Sequence, residues 1–435
     1  MTSMLERTAT AVHQTPVTTP TETALDRKKT HGPRYRWAVL AIGFGAQAAF
    51  SVAFQGIPVA GPLMQTAYQL TTGQLGLVLS FMSLGIAVSD VVWGIVSDRI
   101  GERKVLVAGM VGLTVVLGLI SAFLVPTGGQ VPTIALLSLG LLVAGALGGS
   151  VNGASGRAIM AWFSKRERGF AISVRVTAVP VGGAIGAAAL PFLAMNYGFR
   201  GVFVFLTVIS LAATAAIYFW LDEPPVAKAA PKVKGQKRVS TVPSPLKVWN
   251  VWRVAIASGL LTCPQFVVLT FAGIYLHTAK GVGIGTIAGL LVAVQVLGAV
   301  SRVWGGRWTD RRDGRLRRTV IKWMSWITAI GFVGVAVASD APAPVSVSLL
   351  CVSGVFACGW HGIAYAEIAE IAGAERSGTA LGLENTMVFG GAFITPVLIP
   401  VVLDISGSWA VTMILIGAVP AVIAAVLVPR EKAVD

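Results

Sequence analysis

The chain has 435 residues, a formal net charge of +15, only 12% charged residues and a mean hydropathy of +0.76. A soluble protein of this length could not bury so much apolar surface, so the composition excludes a soluble enzyme and indicates a polytopic membrane protein. The basic residues stand in short clusters between apolar runs, a distribution that follows membrane topology and argues against nucleic-acid binding.

The polar N-terminal segment, residues 1–35, is rich in Thr and Pro and predicts a disordered cytoplasmic tail. A helix needs about 20 mostly apolar residues to cross the hydrocarbon core of a bilayer. Twelve segments meet this requirement: 36–62, 74–97, 104–125, 132–162, 169–194, 199–221, 252–276, 283–306, 319–339, 344–371, 378–402 and 408–429. They predict a six-helix bundle over 36–221, a cytoplasmic linker over 222–251, a second six-helix bundle over 252–429 and a short cytoplasmic tail over 430–435.

The basic residues also predict the orientation. With both termini in the cytoplasm, 29 of the 34 Lys and Arg residues fall on the cytoplasmic side, and only Arg200 and Lys280 fall outside. The three others, Arg157, Arg175 and Arg302, lie within predicted helices. Because cytoplasmic loops carry an excess of Lys and Arg, we expect a multi-pass protein of the inner (plasma) membrane with cytoplasmic N- and C-termini.

A short charged sequence occurs twice, at residues 87–103 and 299–315. The first copy reads AVSDVVWGIVSDRIGER and the second reads AVSRVWGGRWTDRRDGR. Both follow a long apolar run, and they lie 212 residues apart. An apolar chain with an internal duplication is typical of a secondary transporter.

The first copy, Gly94-x-x-x-Asp98-Arg99, resembles the signature loop between helices 2 and 3 of the major facilitator superfamily, and Gly306-x-x-x-Asp310-Arg311 resembles its second copy. The resemblance implies an all-α integral membrane protein with 12 transmembrane helices in two pseudo-symmetric six-helix bundles, working by alternating access. It assigns Asp98, Arg99, Asp310 and Arg311 to conformational control. The region around Trp162–Arg166 and Arg175 is also similar to bacterial anion permeases of the nitrate/cyanate type and to monocarboxylate carriers.

Five charged residues fall inside predicted helices, roughly 9–12 Å from the cytoplasmic boundary by helix rise. They are Asp90, Arg157, Arg175, Arg302 and Glu384. Charges at such depth are costly and mark functional sites by default. We expect Asp90 and Arg302 to pair at an inner gate, Glu384 to serve gating or coupling, and Arg157 and Arg175 to contact an anionic substrate. Arginine suits that task because its planar fork binds a carboxylate with two hydrogen bonds.

Four uncharged polar residues fall near the bilayer midplane on helices 1, 4, 7 and 10, which line the cavity in the resembled family. They are Gln47, Asn152, Gln265 and His361. Each could instead be an ordinary interhelical hydrogen bond, but their common depth favours a ring of substrate ligands. His361 is also the midplane residue whose ordinary titration range suits proton coupling.

These features predict a monomeric transporter of a small anion, most simply an organic carboxylate, driven by protons or by exchange and in contact with membrane lipids. No pattern calls for a cofactor, a metal or a nucleic-acid partner, and no enzyme motif is present in the sequence. The alternative is a proton-driven drug or metabolite efflux pump, although Val179-Pro180-Val181-Gly182-Gly183 departs from the helix-5 motif of drug antiporters. A membrane sensor is a more remote alternative.

Overall fold

The computed structural model describes residues 34–152, 163, 171, 174–222, 245–312, 314–373 and 377–430. Within these residues the chain is almost entirely helical. Eleven helices there are long and apolar enough to cross a membrane. One of them, Val174–Trp220, has 47 residues, or about 70 Å, which is more than twice the thickness of a hydrocarbon core.

That long helix is two spans joined at Gly198. Its backbone leaves helical geometry there, with φ 64° and ψ −173°. A positive φ of this kind is tolerated by glycine because it has no Cβ. The break separates α5, residues 174–197, from α6, residues 199–220, and brings the spans in the described part of the chain to the predicted twelve.

The remaining spans follow in chain order and alternate in direction. Their bounds are α1 Tyr35–Val59, α2 Thr72–Ile100, α3 Glu102–Phe123, α4 Ile134–Asn152, α7 Trp249–Ala279, α8 Ile284–Asp310, α9 Arg317–Val337, α10 Ala343–Ala372, α11 Ser377–Ser406 and α12 Trp409–Leu427.

Several boundaries differ from the predicted ones. The first helix ends at Val59 and a separate short helix, Gly61–Ala67, follows it with a proline in its first turn. The sequence predicted one helix to residue 62, because that prediction rests on the apolar run. Gly61 and Pro62 interrupt the helix but not the apolar run.

The start of α2 has a chemical cause. The Thr71 side chain accepts a hydrogen bond from the Gln74 backbone, and the Gln74 side chain accepts one from the Thr71 backbone.

Three spans contain irregular turns that their hydropathy does not reveal. Helix α7 passes into π-helical turns at Val267–Phe271 and Tyr275–Ala279, and α12 does so at Met413–Ala418. Helix α10 is interrupted at Trp360, between segments Ala343–Gly359 and His361–Ala372. Such turns often mark functional sites, and those in α7 and α10 lie beside predicted site residues.

Helices α1–α6 and α7–α12 form two bundles that meet along α2 and α11 and along α5 and α8. The approach is close enough for backbone contact: a Cβ added at Gly76 on α2 would stand 2.1 Å from the Pro396 carbonyl oxygen on α11. Small residues allow this, since transmembrane helices associate through close packing and not through a hydrophobic difference from lipid.

Candidate functional site

The first half of the site joins α1, α4 and α5 of the N-terminal bundle. The Gln47 side-chain amide donates to Asn152 Oδ1 at 3.2 Å, and the Arg175 guanidinium donates to Gln47 Oε1 at 3.3 Å. Arg175 also donates to the backbone carbonyls of Val151, at 3.3 Å, and Asn152. Neutral acceptors therefore fix the arginine head where these three helices meet.

The second half lies in the C-terminal bundle and is built on Arg302 of α8. Its side chain is 7% exposed and donates to the Cys358 carbonyl at 2.9 Å. It also approaches His361 Nδ1 at 3.2 Å. An arginine can only donate, so Nδ1 is the acceptor and the imidazole is unprotonated at this nitrogen. The break of α10 at Trp360 places both partners beside Arg302.

The two halves are joined through Tyr365 and Asn385. Tyr365 of α10 donates to Asn385 Oδ1 on α11 at 2.5 Å, and the Asn385 amide donates to Asp90 Oδ2 on α2 at 3.4 Å. Tyr365 also lies within electrostatic range of both Arg175 and Arg302. The space around the phenol therefore lies within the electrostatic field of two arginines, one from each bundle.

A buried carboxyl group lies beside this space. Glu384 of α11 is fully buried, and its Oε1 accepts from the Ser258 hydroxyl of α7 at 2.7 Å. Its Oε2 has no hydrogen-bond partner among the described residues. A buried ionised carboxylate with an unsatisfied oxygen is costly, so the surroundings favour the neutral, protonated form.

Aromatic rings from both bundles meet at Phe54, seven residues or about two helical turns after Gln47 on α1. Phe54 of α1 contacts Phe266 of α7 with ring centroids 6.0 Å apart and Phe389 of α11 with centroids 6.1 Å apart. Beside them, Gln295 of α8 donates to Gln55 of α1 at 2.7 Å, and both side chains are buried. In this conformation these aromatic and glutamine contacts join the two bundles beyond the level of the arginines, toward the C-terminal end of α1.

The predicted pair of Asp90 and Arg302 does not form in this conformation. Asp90 accepts from Asn385, and Asp90 interacts electrostatically with Arg175 instead of Arg302. The physical reason is placement: the interrupted α10 offers Arg302 a carbonyl and an imidazole on its own side of the bundle interface.

The predicted midplane ring forms only in part. Gln47 and Asn152 bond to each other, and His361 bonds to Arg302. Gln265 is buried beside the π-helical turn of α7, with its Oε1 lacking a partner among the described residues. Three of the four residues therefore belong to two arginine clusters, Gln265 belongs to neither, and the four do not form one continuous ring.

Of the remaining predicted residues, those that the structure describes lie toward the helix ends. Arg157 lies outside the described residues, and Asp98 and Arg99 lie in the last turn of α2, where only the backbone is described. Asp310 binds Arg317 at 2.7 Å, Arg317 also binds Glu370, and Arg311 is exposed. The second copy of the motif thus links α8, α9 and α10 within one bundle.

Sequence reasoning missed Tyr365, Asn385 and Ser258. Tyr365 follows His361 by four residues, which places both on one helical face, and Asn385 adjoins Glu384. These spacings could have raised both residues as candidates. Ser258 carried no comparable signal, because a serine in an apolar helix is common and its partner lies 126 residues away.

The chemistry of this arrangement favours a small anion. An arginine head from each bundle lies within electrostatic range of Tyr365, and the neutral hydrogen-bond partners of Arg302 leave its charge uncompensated. The described residues contain no group of three or more His, Cys, Asp or Glu that could hold a metal ion.

Residues 43–360 match the sequence profile of the Major Facilitator Superfamily. An uncharacterised MFS-type transporter of Mycobacterium tuberculosis strain CDC 1551 is 31% identical over 81% of this chain and 76% of its own length. The hexuronate transporter of Bacillus subtilis strain 168 is 27% identical over 86% of this chain and 89% of its own length. A probable sulfoacetate transporter of Cupriavidus necator is 26% identical over 83% of this chain and 86% of its own length.

Solved structures show the same fold. A crystal structure of a D-xylose–proton symporter superposes with a TM-score of 0.73, covering 92% of this chain and 98% of that one at 18% identity. The match confirms the predicted architecture of twelve helices in two bundles.

Proposed function

Because the chain belongs to the major facilitator superfamily and is therefore a membrane transporter and not an enzyme, we propose that it carries a small anion, most simply an organic carboxylate. The observation that carries the proposal is the pair of arginines, Arg175 and Arg302, which come from opposite bundles and both lie within electrostatic range of Tyr365. A carboxylate between two guanidinium groups accepts charge-assisted hydrogen bonds from both, and these are stronger than hydrogen bonds between neutral groups.

The named relatives support this substrate class. Hexuronate and sulfoacetate, the substrates in the names of two of them, are both small organic anions with a carboxylate group. A site of two arginines and neutral amides suits such molecules better than it suits a lipophilic cation. The alternative of drug efflux has less support, since a cation at this site would face two arginines and a single carboxylate, Asp90, that already interacts with Asn385 and Arg175.

We place the protein in the inner (plasma) membrane with both termini in the cytoplasm. This follows from the distribution of Lys and Arg residues along the sequence. For the domain organisation we propose one six-helix bundle over 36–221 and a second over 252–429. Transport then proceeds by rocking the two bundles around the arginine site, which alternately opens it to either side.

Glu384 is the residue we propose for proton coupling. Its carboxyl group is buried beside Tyr365, and one of its oxygens has no partner among the described residues. A proton that travels on this carboxyl group offsets the negative charge of a cotransported anion. His361 is less suited to the role because Arg302 occupies its Nδ1. Exchange of one anion for another is the other mode, and it needs no proton carrier.

Counterflow in proteoliposomes tests the substrate class. Vesicles containing purified protein are loaded with each candidate in turn, and entry of the same labelled compound is measured. The panel contains hexuronates, short mono- and dicarboxylates, sulfonates, inorganic anions, neutral sugars and lipophilic cations. We expect counterflow with one group of organic anions only. Counterflow confined to lipophilic cations or to neutral sugars would overturn the proposal.

A further inference from the structure

Three aromatic rings form a layer next to the arginine site, on the side toward the C-terminal ends of α1 and α11. Phe54 of α1 contacts Phe266 of α7 and Phe389 of α11, so both bundles contribute to the contact. We call Phe54, Phe266 and Phe389 the aromatic layer. It uses no residue that bonds to either arginine.

The aromatic layer lies one to two helical turns from the polar residues of the site. Phe389 follows Asn385 by four residues on α11, which is about 6 Å of helix rise, and Phe54 follows Gln47 by seven on α1, which is about 10 Å. Both intervals return to the same face of a helix. Because the spans alternate in direction, α1 and α11 run the same way, and both place the ring on the same side of the polar residue.

The rings of Phe54 and Phe389 are only partly buried, although they contact each other between the bundles. Tyr365 and Asn385, which bond to each other beside the arginines, are partly buried as well. Phe266, in contrast, is buried. Two rings of the layer therefore keep surface that a molecule held at the arginines can contact.

The polar side chains described next to the aromatic layer are largely occupied. Gln55 and Gln295 bond to each other and are both buried. Gln265, the residue before Phe266, has one carbonyl oxygen that lacks a partner among the described residues. That atom can accept from one hydroxyl group, whereas the several hydroxyl groups of a sugar acid would lose water without gaining partners, which is costly. These surroundings favour a substrate with an apolar body.

We propose that the transported anion is a carboxylate with an aromatic body. The carboxylate lies between Arg175 and Arg302, and the aromatic body contacts the partly exposed rings of Phe54 and Phe389. This substrate class rests on the proposed function, since it requires that the arginines bind an anion. Offset or edge-to-face contacts between aromatic rings stabilise a complex beyond the area that they bury. The rings that join the bundles in this conformation therefore also select the substrate.

Calorimetric titration of the purified full-length protein in detergent tests the substrate class. The probes are benzoate, phenylacetate, acetate and glucuronate, and the variants are Phe54→Leu and Phe389→Leu. Leucine keeps an apolar side chain and removes the ring. Phe192→Leu is the control, because Phe192 of α5 is 57% exposed and lies outside the aromatic layer.

We expect the wild type to bind benzoate or phenylacetate at least about tenfold more tightly than acetate and glucuronate. A tenfold preference requires burial of about 55 Å² of apolar surface, which is less than one aromatic group can bury. Phe54→Leu and Phe389→Leu should each weaken binding of the aromatic acids about fivefold, the size of one aromatic pair contact, and leave acetate binding unchanged. Phe192→Leu should match the wild type with every probe.

The possible results separate the aromatic body from the anion site itself. Wild-type binding of glucuronate or acetate as tight as that of the aromatic acids would overturn the aromatic body and leave the anion site standing. Unchanged binding of the aromatic acids by Phe54→Leu and Phe389→Leu, together with slower transport, would show that the rings only close the site, and would equally overturn it. Binding of a lipophilic cation or a neutral sugar in place of every carboxylate would overturn the proposed function as well.

Discussion

At the scale of single residues, the hydrogen bonds described above tie the two arginines to uncharged acceptors, while the Asp90 carboxylate lies within electrostatic range of Arg175. Arg175 donates to a glutamine and to two backbone carbonyls, and Arg302 donates to a carbonyl and approaches a histidine. Neutral acceptors fix a guanidinium in place without cancelling its charge. The charge of a correctly placed arginine therefore remains available to an anion that enters the site.

Replacing Arg175 by Lys should weaken substrate binding while the protein still inserts and folds. The ammonium group keeps the charge but cannot reproduce the planar fork that holds several acceptors at once. Loss of a charge-assisted hydrogen bond costs roughly 1.5–3 kcal/mol, so we expect KM for uptake to rise at least about tenfold. Arg200→Lys is the control, because Arg200 is an exposed arginine near the opposite end of α5. An unchanged KM in Arg175→Lys would make Arg175 a structural charge.

Replacing Glu384 by Gln should uncouple transport of the anion from the proton gradient. Glutamine has nearly the same shape and can keep the hydrogen bond from Ser258, but it cannot carry a proton. We expect accumulation driven by an imposed pH gradient to be lost while counterflow of the same anion persists. Glu370→Gln, at an exposed carboxylate beside Arg317, is the control and should retain both activities. Full proton-driven accumulation by Glu384→Gln would exclude Glu384 as the coupling residue.

The sequence predicted the depth of the candidate residues along their helices better than it predicted their partners. Depth along a helix follows from counting residues, so Arg175, Arg302 and Glu384 could be placed near one level. The direction in which a side chain points around the helix axis depends on local irregularities, such as the interruption of α10 at Trp360. The hydropathy of the sequence does not reveal such irregularities. This is why the pairing of Asp90 with Arg302 was predicted, while their actual partners, Asn385 and His361, were not.

At the scale of helices, one glycine allows a polar contact between the bundles. A Cβ added at Gly183 on α5 would stand 2.2 Å from Gln295 Nε2 and 2.3 Å from Gln55 Oε1. Those two atoms belong to side chains that bond to each other at 2.7 Å, one from each bundle. Gly183 therefore leaves the space in which α1, α5 and α8 meet around a buried hydrogen bond.

Replacing Gly183 by Ala should destabilise this conformation. The added methyl group must displace one of the glutamines, which breaks a buried hydrogen bond and strains the packing at a cost of about 1–3 kcal/mol. Gly289→Ala on α8 is the control, because a Cβ there meets nothing within 4 Å. Thermal unfolding in detergent should show a lower midpoint for Gly183→Ala only. Equal midpoints for both variants would show that the glutamine contact contributes little.

The number of helices could be predicted because a transmembrane span must be long and apolar, a requirement that leaves a clear mark on composition. Their irregular turns could not, since π-helical segments at Val267–Phe271 and Met413–Ala418 have the same composition as regular helix. The join of α5 and α6 at Gly198 was predicted as a gap between two spans, and it proves to be a single residue of positive φ.

At the scale of the whole molecule, each bundle supplies one arginine to the shared space. Alternating access requires the bundles to move relative to each other around the bound substrate. An anion held by Arg175 of one bundle and Arg302 of the other attracts both bundles. The hydrogen bonds from Tyr365 to Asn385 and from Asn385 to Asp90 also join the two bundles near these arginines. Under the proposed function, substrate binding is thereby coupled to the arrangement of the bundles.

Equilibrium binding of the transported anion to the wild type, Arg175→Gln, Arg302→Gln and the double variant tests this account most directly. If both arginines hold one anion, each single change should weaken binding by about tenfold or more, since each removes a charge-assisted bond. The loss of affinity in the double variant should be smaller than the product of the losses in the two single variants. The reason is that the effects of two residues that act on one ligand are not additive. Unaltered affinity in either single variant would contradict a site shared between the bundles.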